Sequence, residues 1–143
     1  MLKRKILTLI FASLLSISLI AFWFVFTDGE ELIAFFPLAL WISLIAIPVI
    51  LIYGLPVSFL SEKLTKQFTN NKRIFWALVI HVVFGFGFVF IAGLIFETEM
   101  LIWDFIQFWR KYEVFLFPSL VTSICFWGVD EVIRFYSLIK DTK

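Results

Sequence analysis

His81 stands in an uncharged stretch, Ile74 to Phe96, and of all residues in this chain it comes nearest to chemistry. An ionisable side chain inside an apolar helix is a candidate for proton transfer or ligand contact, because burying it is costly. A neutral imidazole costs far less than an ammonium or carboxylate, and its two nitrogens need one acceptor and one donor as partners. At 1.5 Å of rise per residue, His81 falls roughly 10 Å inside the hydrocarbon. Projecting the other apolar stretches to that depth brings Ser13, Ser43, Thr122 and Ser123 to the same level. The candidate intramembrane polar site is therefore His81, Ser43, Thr122 and Ser123. It reads either as a polar layer joining helices, at about 1 kcal/mol or less per interhelical bond, or as the lining of a substrate path. The structural role is the simpler of the two.

Other reactive groups are sparse. Asp130 and Glu131 are adjacent acids at one end of an apolar stretch and could hold a divalent cation, but acids at a helix end are ordinarily solvated. Cys125 is the only cysteine, which excludes an intrachain disulfide and a Cys-only metal site. No paired-histidine motif, phosphate-binding glycine loop or serine elbow occurs. No span carries a charge at its middle, which argues against a proton-coupled pump with a central carboxylate. The expectation is a protein with no catalytic residues, no metal and no cofactor.

The elements that must position these residues are membrane helices. Hydrophobic residues make up 62% of the 143 and charged ones 16%, whereas a soluble domain is roughly a quarter charged. Water could not solvate a fold of this size with so much apolar surface; lipid can. The twenty phenylalanines follow from the same bias and need no aromatic pore. Four stretches approach the roughly 20 residues that cross a bilayer: 6–26, 32–53, 74–96 and 112–129, the last of which could continue past Asp130 and Glu131 as a partly wet helix. The first is too long for a signal-peptide core and lacks a cleavage site, so it reads as a retained anchor. Unbroken apolar character selects helices over barrel strands. The fold class is all-α: a polytopic membrane protein of four transmembrane helices in an up-down bundle, with residues 1–143 as one integral membrane domain. Pro48 should kink the second helix, while Pro37 and Pro118 fit first turns.

Ten of the twelve lysines and arginines sort to one side: Lys3, Arg4, Lys5, Lys63, Lys66, Lys72, Arg73, Arg134, Lys140 and Lys143. The other side carries Arg110 and Lys111 among the acids Asp28, Glu30, Glu31, Glu97, Glu99, Asp104 and Glu113. The positive-inside rule then makes both termini cytoplasmic.

Two short amphipathic helices are expected at the interfaces. Tyr53-Gly54-Leu55-Pro56 should end one helix and start another. Over 56–68, Val57, Leu60, Leu64 and Phe68 would face lipid, with lysines toward headgroups; a plain extension of the second span is the alternative. Over 98–112, Leu101, Phe105, Phe108 and Tyr112 form an apolar face opposite Asp104, Gln107 and Lys111. At Tyr53, Gly54, Pro56 and Ser58, followed by the basic stretch, the chain resembles small uncharacterised four-span membrane proteins of Gram-positive bacteria. The resemblance implies a membrane fold and no activity.

Ala77, His81, Gly85 and Ala92 or Gly93 form a stripe that lets another helix approach closely. The facing surface is either span one, at Ala12 and Ser16, or span four, at Ser119, Thr122 and Ser123. The expected partners are the lipid bilayer, and a membrane protein or a second copy of the chain, with no nucleic acid. The function expected is non-enzymatic, through contacts with lipid or membrane proteins, in an accessory, stress or immunity role. The alternative is a small oligomeric transporter or channel with a path near His81. A membrane enzyme using Glu97, Glu99 and Asp104 is the third option, though those acids equally suit a wet helix face.

Overall fold

A computed structural model describes residues 2–29 and 31–141, except for the side chains of residues 2, 70 and 138–141. Glu30, Lys143 and the Lys140 side chain, counted above in the charge sorting, lie outside the described residues. Among the described residues the elements are all helical: α1 (Leu2–Asp28), a 3₁₀ turn (Leu32–Ala34), α2 (Phe35–Val49), α3 (Leu55–Thr65), α4 (Asn70–Phe96), α5 (Thr98–Trp103) and α6 (Phe105–Asp141). Four helical stretches are long and apolar enough to cross a membrane: Lys3–Asp28, Leu32–Thr65, Asn71–Phe96 and Phe105–Ser137. They alternate in direction. The start of α1 and the close of α6 therefore lie at the same end of the bundle, the basic one.

Gly29 closes α1 at φ 69°, a left-handed conformation that glycine adopts without strain. At the basic end the turn between α3 and α4 is short. Thr69, in extended conformation, lends its carbonyl oxygen to the amides of Lys72 (3.1 Å) and Arg73 (3.3 Å).

α6 is the central element and packs along both α1 and α4, while α2 leans on α1 and α3 on α4. α2 buries none of its side chains. The outward surface of all four spans is apolar, with Phe11, Leu14, Trp41, Leu44 and Val83 exposed, whereas Lys5, Thr8, Ser58, Ser61, Thr65, Arg73, His81 and Asp130 are buried. Apolar outside and polar within is the arrangement that lipid, not water, stabilises.

The second span does not stop at Tyr53-Gly54. Gly54 is helical (φ −64°, ψ −42°), and the Leu55 amide donates to the Ile50 carbonyl, a π-helical turn over Ile50–Gly54 that leads straight into α3. Pro56 has no amide to give the carbonyl four residues back, and a widened turn absorbs that loss without a break. The expected separate interfacial helix over 56–68 is thus an extension of span two. α3 buries Val57, Ser58, Ser61 and Thr65, so Val57 turns inward with the hydroxyls, while Leu64 faces outward as expected. On that inward face Ser58 accepts from Lys5 of α1 at 2.7 Å, and the Thr65 hydroxyl donates to the Ser61 carbonyl at 2.7 Å.

The outer helix expected over 98–112 is divided. Asp104 leaves helical geometry (φ −140°, ψ 70°), and its Oδ1 accepts the Gln107 amide at 3.0 Å. This is an Asp N-cap with Gln at the third helical position, and it starts α6. The fourth span, expected over 112–129, is therefore the middle of a much longer helix, and Pro118 lies in its interior rather than its first turn. Phe108 and Tyr112 leave the interface to pack on α4 around Val89. Phe108 fits against Gly93, where a Cβ would come within 2.5 Å of its Cζ.

Candidate functional site: a buried charge network at the basic end

Three helices deliver charged side chains to one spot. Lys5 comes from the first turns of α1, Glu62 from α3, and Asp130 from the far half of α6. The Lys5 side chain is 0% exposed. Its Nζ donates to Asp130 Oδ2 at 2.8 Å and to Ser58 Oγ at 2.7 Å, and lies 3.2 Å from Glu62 Oε2. An ammonium has three protons, and these three oxygens match them. The Asp130 carboxylate is equally engaged: the Thr8 hydroxyl lies 3.1 Å from Oδ1, and Arg4 Nε lies 3.4 Å from the same oxygen. Arg4 turns its terminal nitrogen to Glu62.

A second pair flanks the first. Arg73, near the start of α4, binds Glu131 of α6, and the Trp127 indole N–H donates to the Ile74 carbonyl at 3.2 Å. Together these contacts tie α4 to α6 as Lys5 ties α1 to α6. The expectation that Asp130 and Glu131 are solvated acids is overturned, because both pair with buried cations; α6 does continue beyond them.

His81 is the innermost member of this layer and not part of a hydroxyl ring. Its Nδ1 lies 2.8 Å from the Ala77 carbonyl and so carries the proton in that contact, and its ring stacks on Phe126 at 6.4 Å. Nε2 is buried with no hydrogen-bond partner. The imidazole borders a cavity of about 10 Å³ together with Arg4, Glu62, Arg73, Asp130 and Arg134, room for about one water. Ser43 sits on partly exposed α2, bonded to the Leu40 carbonyl. Ser13 is buried in α1, and its carbonyl accepts the Ser16 hydroxyl. Ser123 packs against Gly85, where a Cβ would lie 2.9 Å from Ser123 Cβ and 3.2 Å from the Ser119 carbonyl oxygen. Thr122 is partly covered beside it. Of the four residues grouped in sequence, none hydrogen-bonds another. The glycine stripe of α4 thus meets span four; Ala12 of span one packs instead on Ile50 and Phe126.

The residues that sequence reasoning missed are Lys5, Ser58 and Glu62; Asp130 was singled out, but as a cation ligand and not as the partner of Lys5. One signal was available: Ser58, Ser61 and Thr65 recur at helical spacing on the face of α3 opposite its lysines, and hydroxyls at that spacing suit a buried polar seam.

The architecture and the buried network define the class: a helical membrane protein of four apolar spans locked at one end by ion pairs. Comparison with family models, with curated proteins and with solved structures found no match.

Proposed function

We propose that this chain is a non-enzymatic, multi-pass protein of a bacterial plasma membrane, with both termini cytoplasmic, that acts through contacts of its spans with other membrane proteins and lipid. The observation that carries this reading is α2. α2 buries no side chain and presents Phe36, Leu40, Trp41, Leu44 and Ile45 outward. Helix association in lipid rests on close packing, not on hydrophobic driving force. Span two is anchored at the basic end through α3, and its α2 half is left available to a further transmembrane helix. The sorting of lysines and arginines supports the orientation, and the likeness to four-span proteins of Gram-positive bacteria is in keeping with it.

A photo-reactive residue in place of Trp41, activated in cells, should yield a discrete protein adduct, whereas one in place of Val83 on α4 should not. Lipid adducts alone at both positions would overturn the reading.

A small oligomeric transporter or channel near His81 is the second reading, favoured by the buried, unpartnered Nε2 beside the polar cavity. Liposome flux of ions or small solutes that His81→Ala leaves unchanged would remove it.

A further inference from the structure

At the basic end, a groove of about 510 Å³ opens between the start of α4 and the last turns of α6. Phe68, Ile74, Val132 and Phe135 form its apolar wall, and Arg73 and Arg134 its polar one. We propose that this groove holds one anionic phospholipid, its phosphate on Arg134 and an acyl chain along Phe68, Ile74 and Phe135. The proposal rests on the reading above that the chain lies in a bilayer with this end at the cytoplasmic headgroups.

The charge balance carries the argument. The neighbouring cations are Arg4, Lys5, Arg73 and Arg134; the acids among them are Glu62, Asp130 and Glu131. Each acid is already engaged: Glu62 and Asp130 by Arg4 and Lys5, and Glu131 by Arg73. Arg134 makes no ion pair among the described residues, yet it borders both the inner cavity and the groove. Glu131 also lines the groove, but its pairing with Arg73 leaves that couple neutral, so Arg134 sets the sign. A guanidinium matches a phosphate with two parallel N–H bonds. Basic pockets between membrane helices on the cytoplasmic side suit anionic headgroups. A free phosphate would satisfy Arg134 equally and would leave the apolar wall unexplained; a lipid uses both.

Native mass spectrometry of the full chain in non-ionic detergent tests the site, with phosphatidylglycerol, phosphatidylcholine and inorganic phosphate as separate additions. One phosphatidylglycerol per chain should be retained about fivefold over phosphatidylcholine, the factor expected for one basic side chain near anionic lipid. Arg134→Gln should abolish the preference, and Lys63→Gln, on the exposed side of α3, should leave it intact. Equal retention of the two lipids by the natural chain would overturn the proposal before any variant is made. So would an undiminished preference in Arg134→Gln, or displacement of the lipid by millimolar phosphate, which would mark a free-anion site. Failure of the underlying reading looks different: the chain would stay monodisperse without detergent, or a terminal reporter would appear outside the cell.

Discussion

Lys5 Nζ lies 2.8 Å from Asp130 Oδ2, across a separation of 125 residues, so the first turns of the first span are fastened to the late turns of the last. Withdrawing both charges from water costs several kcal/mol each, and only a complete set of partners repays it. Ser58, Glu62 and Thr8 complete that set. The pair clamps α1 to α6 at the basic end.

Removing one partner should therefore be far worse than removing both. Asp130→Leu leaves Lys5 buried without its strongest acceptor, and a loss of about 3–5 kcal/mol is expected. Lys5→Met with Asp130→Leu should recover most of it. Unfolding in mixed micelles, followed by helical circular dichroism, measures both. A double variant as unstable as the single one would show that the pair does not act as a unit.

Two glycines of α4 should respond oppositely to the same change. A Cβ at Gly85 meets Ser123 Cβ at 2.9 Å and the Ser119 carbonyl oxygen at 3.2 Å, whereas one at Gly87 meets nothing within 4 Å. Gly85→Ala should cost about 1–3 kcal/mol by forcing α4 from α6. Gly87→Ala should be neutral or stabilise by roughly 0.4–1 kcal/mol, through a less flexible unfolded chain. Adding Ser123→Gly to Gly85→Ala should restore part of the loss, as read in the same unfolding assay.

Asp104 caps the helix that carries Asp130. Asp104→Ala should cost about 1 kcal/mol and speed amide exchange over residues 105–108, with little change near Asp130. Unaltered exchange in that first turn would mean that the cap is dispensable.

The amino-acid sequence by itself determined four apolar spans, their helical nature and the sorting of charge to one end. These are consequences of composition, segment length and backbone satisfaction in lipid, which act locally along the chain. Tertiary structure decided what each polar residue does. Lys5 looked like one more topology-setting cation and Asp130 like a wet helix end, because nothing within either segment reveals a partner 125 residues away. His81 was legible as a costly buried group, yet its neighbours were assigned by depth alone; helix rotation placed Ser43 toward the outside and Ser123 against Gly85. Continuity through Gly54 was equally hidden, since a π-helical turn can absorb a proline that would otherwise end a helix. Depth in a membrane follows from counting residues, whereas azimuth follows only from how the helices pack.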